Sequence, residues 1–175
     1  MTTQNKKGFT IIEVVLVLAI GGLIFLMVFI ALPALQRSQR NTQREDDMAR
    51  ILTAVQDYQT NNSGKTPFEE GGVNSNFIKR YIDETVVVDA SGNVTSCGDQ
   101  FKDPDGECYQ MKNKGAVTAD GNAAGLPTDL DHTFYAFTNA GCGDLEGTVK
   151  KGTGKRQVAI FFVNEGGAIS CNDNH

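Results

Sequence analysis

A single carboxylate, Glu13, stands directly ahead of nineteen consecutive residues that carry no charged or strongly polar group, "VVLVLAIGGLIFLMVFIAL" from Val14 to Leu32. At about 1.5 Å per residue that run spans roughly 28 Å as a helix, enough to cross the hydrocarbon of a bilayer. A charge at such a place costs on the order of 3 kcal/mol at the centre of a membrane, less near its edge, so it points to a function or to a partner of opposite charge. The blander reading is a carboxylate that snorkels to headgroup depth. Lys6, Lys7, Gly8 and Phe9 come just before it. The two lysines predict that this end stays in the cytoplasm and that the rest of the chain lies on the far side.

Other residues with chemical potential cluster in the second half. Cys97, Cys108, Cys142 and Cys171 form no C-x-x-C pair, so zinc and thioredoxin-like redox chemistry find no support. Two disulfides in an oxidising compartment fit better. Four cysteines allow three pairings. The turn "DPDG" brings Cys97 and Cys108 close, and an antiparallel arrangement of the later strands would put Cys142 and Cys171 at one end of a sheet, which favours those two bridges. "DPDGE" offers Asp103, Asp105 and Glu107 as weak calcium candidates, but without the glycine at the sixth position of an EF-hand loop; a simple turn explains them as well.

Catalysis finds little footing. The chain has only His132 and His175 as histidines, and no G-x-S-x-G or metal-ligand spacing. "GTVKKGTGKR" lacks the spacing of a Walker A loop. The basic group Lys150, Lys151, Lys155 and Arg156 is short, has no aromatic interleaving and reads as a solvated loop. A formal net charge of −5 argues against non-specific nucleic-acid binding as the main role. Asn61 and Asn93 head N-x-[ST] triplets, which matter only in a host that glycosylates them. No cofactor is predicted.

These residues need elements to hold them. The apolar run is too long for the core of a cleaved secretory signal, and helical character continues beyond Pro33. Met48, Ile51, Leu52, Val55 and Tyr58 recur at spacings of three and four, an apolar stripe that belongs on a core. "NNSGKTP" ends the helix. The pattern predicts one helix from about Thr10 to Asn61, half in a bilayer and half covering a domain. Beyond it, "TVVVDASGNVTSC" predicts a hairpin, and "HTFYAFT", "RQVAIFFV" and "GAISC" predict three strands, the last two joined at "NEGG". Lys112 to Asp131, rich in Gly, Ala and Asp, reads as a surface loop.

"KKGFTIIEVVLVLAI" resembles the prepilin N-terminus of type IV pilins and of the pseudopilins of type II secretion and competence systems, with a class III-type leader. In that family a basic leader ends in Gly, Phe follows, and a Glu stands fifth after the cut; Gly8, Phe9 and Glu13 match. The resemblance covers about residues 5 to 60 and implies cleavage between Gly8 and Phe9, N-methylation of Phe9, and Glu13 setting assembly register against a neighbour's N-terminus; a Glu13–Phe9 pair within one chain is the alternative. It also implies flexible points at Gly21, Gly22 and Pro33, although Pro33 comes later than is usual; small residues that let helices pack closely are the alternative there. The implied fold is α+β and type IV pilin-like: leader 1–8, transmembrane and filament-core helix 9–33, amphipathic helix 34–62, and a β-rich head 63–175 on a small antiparallel sheet. The implied role is a non-enzymatic structural subunit of a type IV pilus, for attachment, twitching motility or DNA uptake. A pseudopilin and a membrane-anchored domain that never polymerises are the alternatives. The implied partners are copies of itself, a prepilin peptidase, an assembly ATPase and an inner-membrane platform protein. The chain would begin as a single-pass inner-membrane precursor and end on an extracellular filament.

Overall fold

The computed structural model describes residues 8–69 and 72–174. Lys6, Lys7 and His175 lie outside the described residues. The chain divides into an N-terminal helical unit ending at Gln39 and a head beginning at Arg40.

Helix α1 runs from Ile11 to Asn61 with Pro33 inside it. Within the head it places Met48, Ile51, Leu52, Ala54 and Val55 inward, the stripe that the spacing predicts. It stops where Ser63 and Gly64 turn to positive φ (56° and 80°), and the Gly64 N–H donates to the Gln59 carbonyl at 2.7 Å. A glycine meets that backbone requirement without strain.

After α1 come β1 (Phe68–Glu69) and β2 (Gly72–Val73), paired antiparallel, then the short helix α2 (Ser75–Phe77) with a π-wound continuation through Ile82. β3 (Val87–Val88) and β4 (Val94–Ser96) form the hairpin predicted around "ASGN". The main sheet takes β5 (Gln110–Ala116), β7 (Thr133–Thr138), β10 (Val158–Val163) and β11 (Ile169–Asp173), in the order β11-β10-β7-β5. β7, β10 and β11 are antiparallel, while β5 lies parallel to β7. A second sheet has the order β6-β9-β8, built from β6 (Gly121–Asn122), β8 (Ala140–Cys142) and β9 (Thr148–Lys151).

The main sheet is covered on both faces. Phe134, Ala136, Val158, Ile160 and Phe162 share one core with the α1 stripe, whereas Tyr135, Phe137, Ala159 and Phe161 share another with Val117, Ala123, Ala140 and Val149. Successive residues of a strand point to opposite faces. That is why all six residues of β10, "VAIFFV", are buried and why its sequence shows no alternation.

Two sequence expectations need correction here. Lys112–Asp131 is no surface loop: Lys112 to Ala116 belong to β5, β6 pairs with β9, and Val117 and Ala123 are buried in the second core. Edge strands keep one polar flank in water, so "KNKGA" carries no strand signal. Lys150 and Lys151 likewise lie in β9 rather than in a loop, with the Lys150 ammonium donating to Asp144 at 2.6 Å.

Because Phe161 and Phe162 are each at most 1% exposed and face different cores, both should be intolerant of truncation. Phe161→Ala and Phe162→Ala are each expected to cost about 3 to 5 kcal/mol, read from thermal melts of the detergent-solubilised chain followed by near-ultraviolet circular dichroism. A sheet with only one buried face would spare one of the two.

Candidate functional site

Upstream of α1, Gly8, Phe9 and Thr10 are non-helical and exposed. From Phe9 to Leu35 the large apolar side chains are 46% to 85% exposed, so the N-terminal unit leaves its apolar surface uncovered. A helix polar all round can face water; one apolar all round requires lipid or other helices. Here α1 is long and apolar enough to cross a membrane. Phe25 and Phe29, one turn apart, put ring centroids 4.8 Å from each other. A Cβ added at Gly21 or Gly22 would meet nothing within 4 Å, so nothing among the described residues requires glycine there. Pro33 is accommodated inside the helical run. Glu13 lies in the first turn, where a carboxylate is favoured by the partial positive charge of the helix start. Its backbone N–H donates to the Thr10 carbonyl at 3.1 Å.

In the head, the first turns of α1 carry a polar clamp that no local pattern announces. Arg44 has no exposed side-chain surface. Its Nε and Nη2 donate to the two carboxylate oxygens of Asp103 at 2.7 and 2.6 Å, and its Nη1 donates to Glu165 and Asn41 at 2.9 Å each. Arg40 donates to both oxygens of Glu165 at 2.6 and 2.7 Å. Glu165 sits in the β10–β11 turn, and Asp103 in the loop closed by the Cys97–Cys108 disulfide. Beside them the Tyr109 hydroxyl donates to Asp47 at 2.9 Å.

The electrostatics follow from those contacts. The Arg40 hydrogen bonds hold the Glu165 carboxyl down at about 2 against the upward push of partial burial, with Arg44 adding to the effect. Burial drives the Asp103 carboxyl up, but the hydrogen bonds from Arg44 and from the Asp105 N–H outweigh it and leave it below its ordinary value. Burial, with Asp47 close by, raises the Tyr109 phenol. Tyr135, buried and donating to Asp131, is pushed up to about 12.

Of the three calcium candidates, the structure brings Asp103 and Asp105 together with His132, which the sequence reading passed over; each offers one ligand atom and these lie within 4.8 Å of one another. Glu107 is not in that group. Both Asp103 oxygens accept from Arg44, and Asp105 Oδ2 is 3.7 Å from Arg44 Nη2, so a guanidinium engages this loop's carboxylates. His132 Nδ1 is buried without a hydrogen-bond partner among the described residues, on a backbone with φ of 54°. The cysteines are joined as Cys97–Cys108 and Cys142–Cys171, and the second bridge ties β8 to β11.

Residues 3–29 match the family described as the prokaryotic N-terminal methylation motif. The chain carries the class III leader of type IV pilins and pseudopilins. The motif supports a type IV pilin- or pseudopilin-like protein, and the leader and apolar helix fit membrane anchoring. A motif of this kind suggests a structural protein rather than an enzyme. Nothing among curated proteins or solved structures matches the chain.

The clamp makes a prediction about acid. A carboxyl held near 2 in the folded head, from an ordinary 4.5, contributes stability that is fully present above about pH 4.5 and is lost as the pH falls towards 2. Glu165→Gln should therefore lower stability at pH 7 by roughly 2 to 3 kcal/mol and flatten the loss between pH 5 and pH 2. Thermal melts of both proteins across that range provide the check; parallel pH profiles would show that Glu165 is not a source of the slope.

Proposed function

We propose that the chain is a prepilin that loses its leader between Gly8 and Phe9, is N-methylated on Phe9, and polymerises through α1 as a structural subunit of a type IV pilus. The observation that carries this reading is an apolar helix, uncovered from Phe9 to Leu35, which begins at the methylation motif and bears one carboxylate in its first turn.

The chemistry of assembly follows from charge and burial. Hydrolysis of the Gly8–Phe9 amide creates an ammonium at Phe9, and methylation by a donor that the peptidase supplies leaves it cationic. Once the helix enters an apolar environment, Glu13 is stable only if paired, because an uncompensated buried charge costs about 3 to 5 kcal/mol. The N-terminus of a neighbouring subunit meets that need and fixes the register at which each helix is added. A pair closed within one chain, four residues apart and one helical turn, would neutralise the charge without setting register.

Leaving the bilayer needs work from elsewhere. Fourteen of the nineteen residues from Val14 to Leu32 are Val, Leu, Ile or Phe. At about 0.3 to 0.6 kcal/mol each, lipid holds the span by roughly 4 to 8 kcal/mol. A core of identical helices offers an equally apolar destination, and a cytoplasmic ATPase acting through an inner-membrane platform protein supplies the work. The two-disulfide head suits an oxidising, surface-exposed setting, which favours a pilin over a pseudopilin. Attachment, twitching motility and DNA uptake are the roles such a filament would serve.

Shearing filaments from cells and sequencing the N-terminal peptide by mass spectrometry tests the whole reading. Methylated Phe9 in the sheared fraction is the expected result. A processed chain confined to membranes would indicate a pseudopilin, and an uncut N-terminus would leave an anchored, non-polymerising domain. Glu13→Ala should insert and be cut as the parent is but yield few filaments; normal filament yield from that variant would remove Glu13 from assembly.

A further inference from the structure

Helix α1 starts one residue after Thr10, and Thr10 is bonded as a helix N-cap. Its carbonyl accepts the N–H groups of Glu13 and Val14 at 3.1 and 3.3 Å. Its Oγ1 also accepts the Glu13 N–H, at 3.4 Å. The first four N–H groups of any helix have no partner within it, and a cap hydroxyl satisfies one of them while its own residue stays outside the helical run. "TIIE" from Thr10 to Glu13 also has the spacing of a capping box, in which the carboxylate at the third helical position turns back towards the cap.

What lies just upstream gives the cap a consequence. Gly8 and Phe9 are non-helical and exposed, Phe9 by 84%. A peptide bond inside a helix has its polar groups engaged in the ladder, whereas an enzyme that grips a chain by its main chain needs those groups free and the segment extended. With the helix ended at Thr10, the Gly8–Phe9 amide lies outside the ladder. Without a cap the helix start is no longer fixed, and molecules differ in how far the bond stands from the first turn.

We infer that Thr10 is a positioning residue for leader removal: its cap fixes where α1 begins and so presents the Gly8–Phe9 bond, exposed and outside the helical ladder, to the processing peptidase. The inference rests on the prepilin reading. In the reaction water adds across the amide, the C–N bond breaks, Gly8 leaves with the leader as a carboxylate and Phe9 keeps the nitrogen as an ammonium. Thr10 acts through the backbone and exchanges no proton.

The test uses the full chain in detergent with membranes containing the peptidase, and follows the Phe9-terminated product by mass spectrometry. Rates for Thr10→Ser, Thr10→Asn, Thr10→Asp, Thr10→Gly, Thr10→Ala and Thr10→Val are compared with the parent. If the cap acts as inferred, Ser, Asn, Asp and Gly stay within about twofold of the parent and Ala and Val fall about fivefold, following N-cap preference rather than size or polarity. Hydrogen exchange at the Glu13 amide should quicken in the same two slow variants. Thr10 is exposed and remote in sequence from the head, so unchanged disulfides and head melting verify folding. Parent-like rates for Ala and Val would overturn the inference, as would rescue by Ser but not by Asn or Asp, which would mean that the peptidase reads the hydroxyl itself. A parent chain that is not cut after Gly8 would overturn the prepilin reading together with this inference. Cutting of the parent with no ranking among the variants would overturn this inference alone.

Discussion

The constraint on which the rest depends is the uncovered apolar surface from Phe9 to Leu35. A chain that left this much aliphatic and aromatic surface in water would aggregate, since exposed apolar patches of far smaller extent already mark interaction sites. In the prepilin reading lipid covers the surface at first, and other copies of the same helix could replace lipid at nearly equal free energy. A segment poised between two apolar surroundings is suited to transfer from one to the other, provided that its polar points are also provided for. Glu13 is one such point and the N–H groups at the helix start, which Thr10 caps, are another, and both lie close to the motif's Gly-Phe junction.

The head is built against the opposite problem. It keeps its share of α1 in place with two kinds of interaction. The apolar stripe gives non-directional burial. Arg44, bound on three sides by Asp103, Glu165 and Asn41, gives direction and register. A buried ion pair is weak evidence for net stability, because desolvation offsets much of the attraction, but its geometry tolerates no sliding of the helix along the sheet. One partner of Arg44 lies in a disulfide-closed loop and another in the turn between two paired strands. Oxidation at Cys97–Cys108 and docking of α1 therefore support each other.

Long-period signals were legible in the sequence and contact-dependent ones were not. The helix was readable because 3.6-residue spacing over Met48 to Tyr58 needs no knowledge of what it packs against. β7 and β10 were readable as continuous apolar runs, although only the structure shows that burial on both faces is the cause. β5 was hidden, because an edge strand with lysines and a glycine resembles a loop. Glu13 stood out because everything around it is apolar. Arg44 did not, since it lies among Arg, Gln, Asp and Glu on what reads as a solvated helix face, and its partners are 59 and 121 residues away. His132 had no signal either, as it joins Asp103 and Asp105 only through the tertiary fold.

The same arginines bear on orientation. Lys6 and Lys7 precede the span, yet Arg37, Arg40 and Arg44 follow it closely, and a count of basic residues near its ends would favour the opposite topology. Folding of the head resolves the conflict physically. Arg40 and Arg44 find their carboxylates only in the folded head, where Glu165 and Asp103 meet them. If the head is exported, as the prepilin reading proposes, sliding back would require undoing the fully buried Arg44–Asp103 pair and unfolding two disulfide-bridged segments. Positive charge that would oppose export in the unfolded chain is thus, in the folded head, paired with carboxylates and part of what fixes α1 to the sheet.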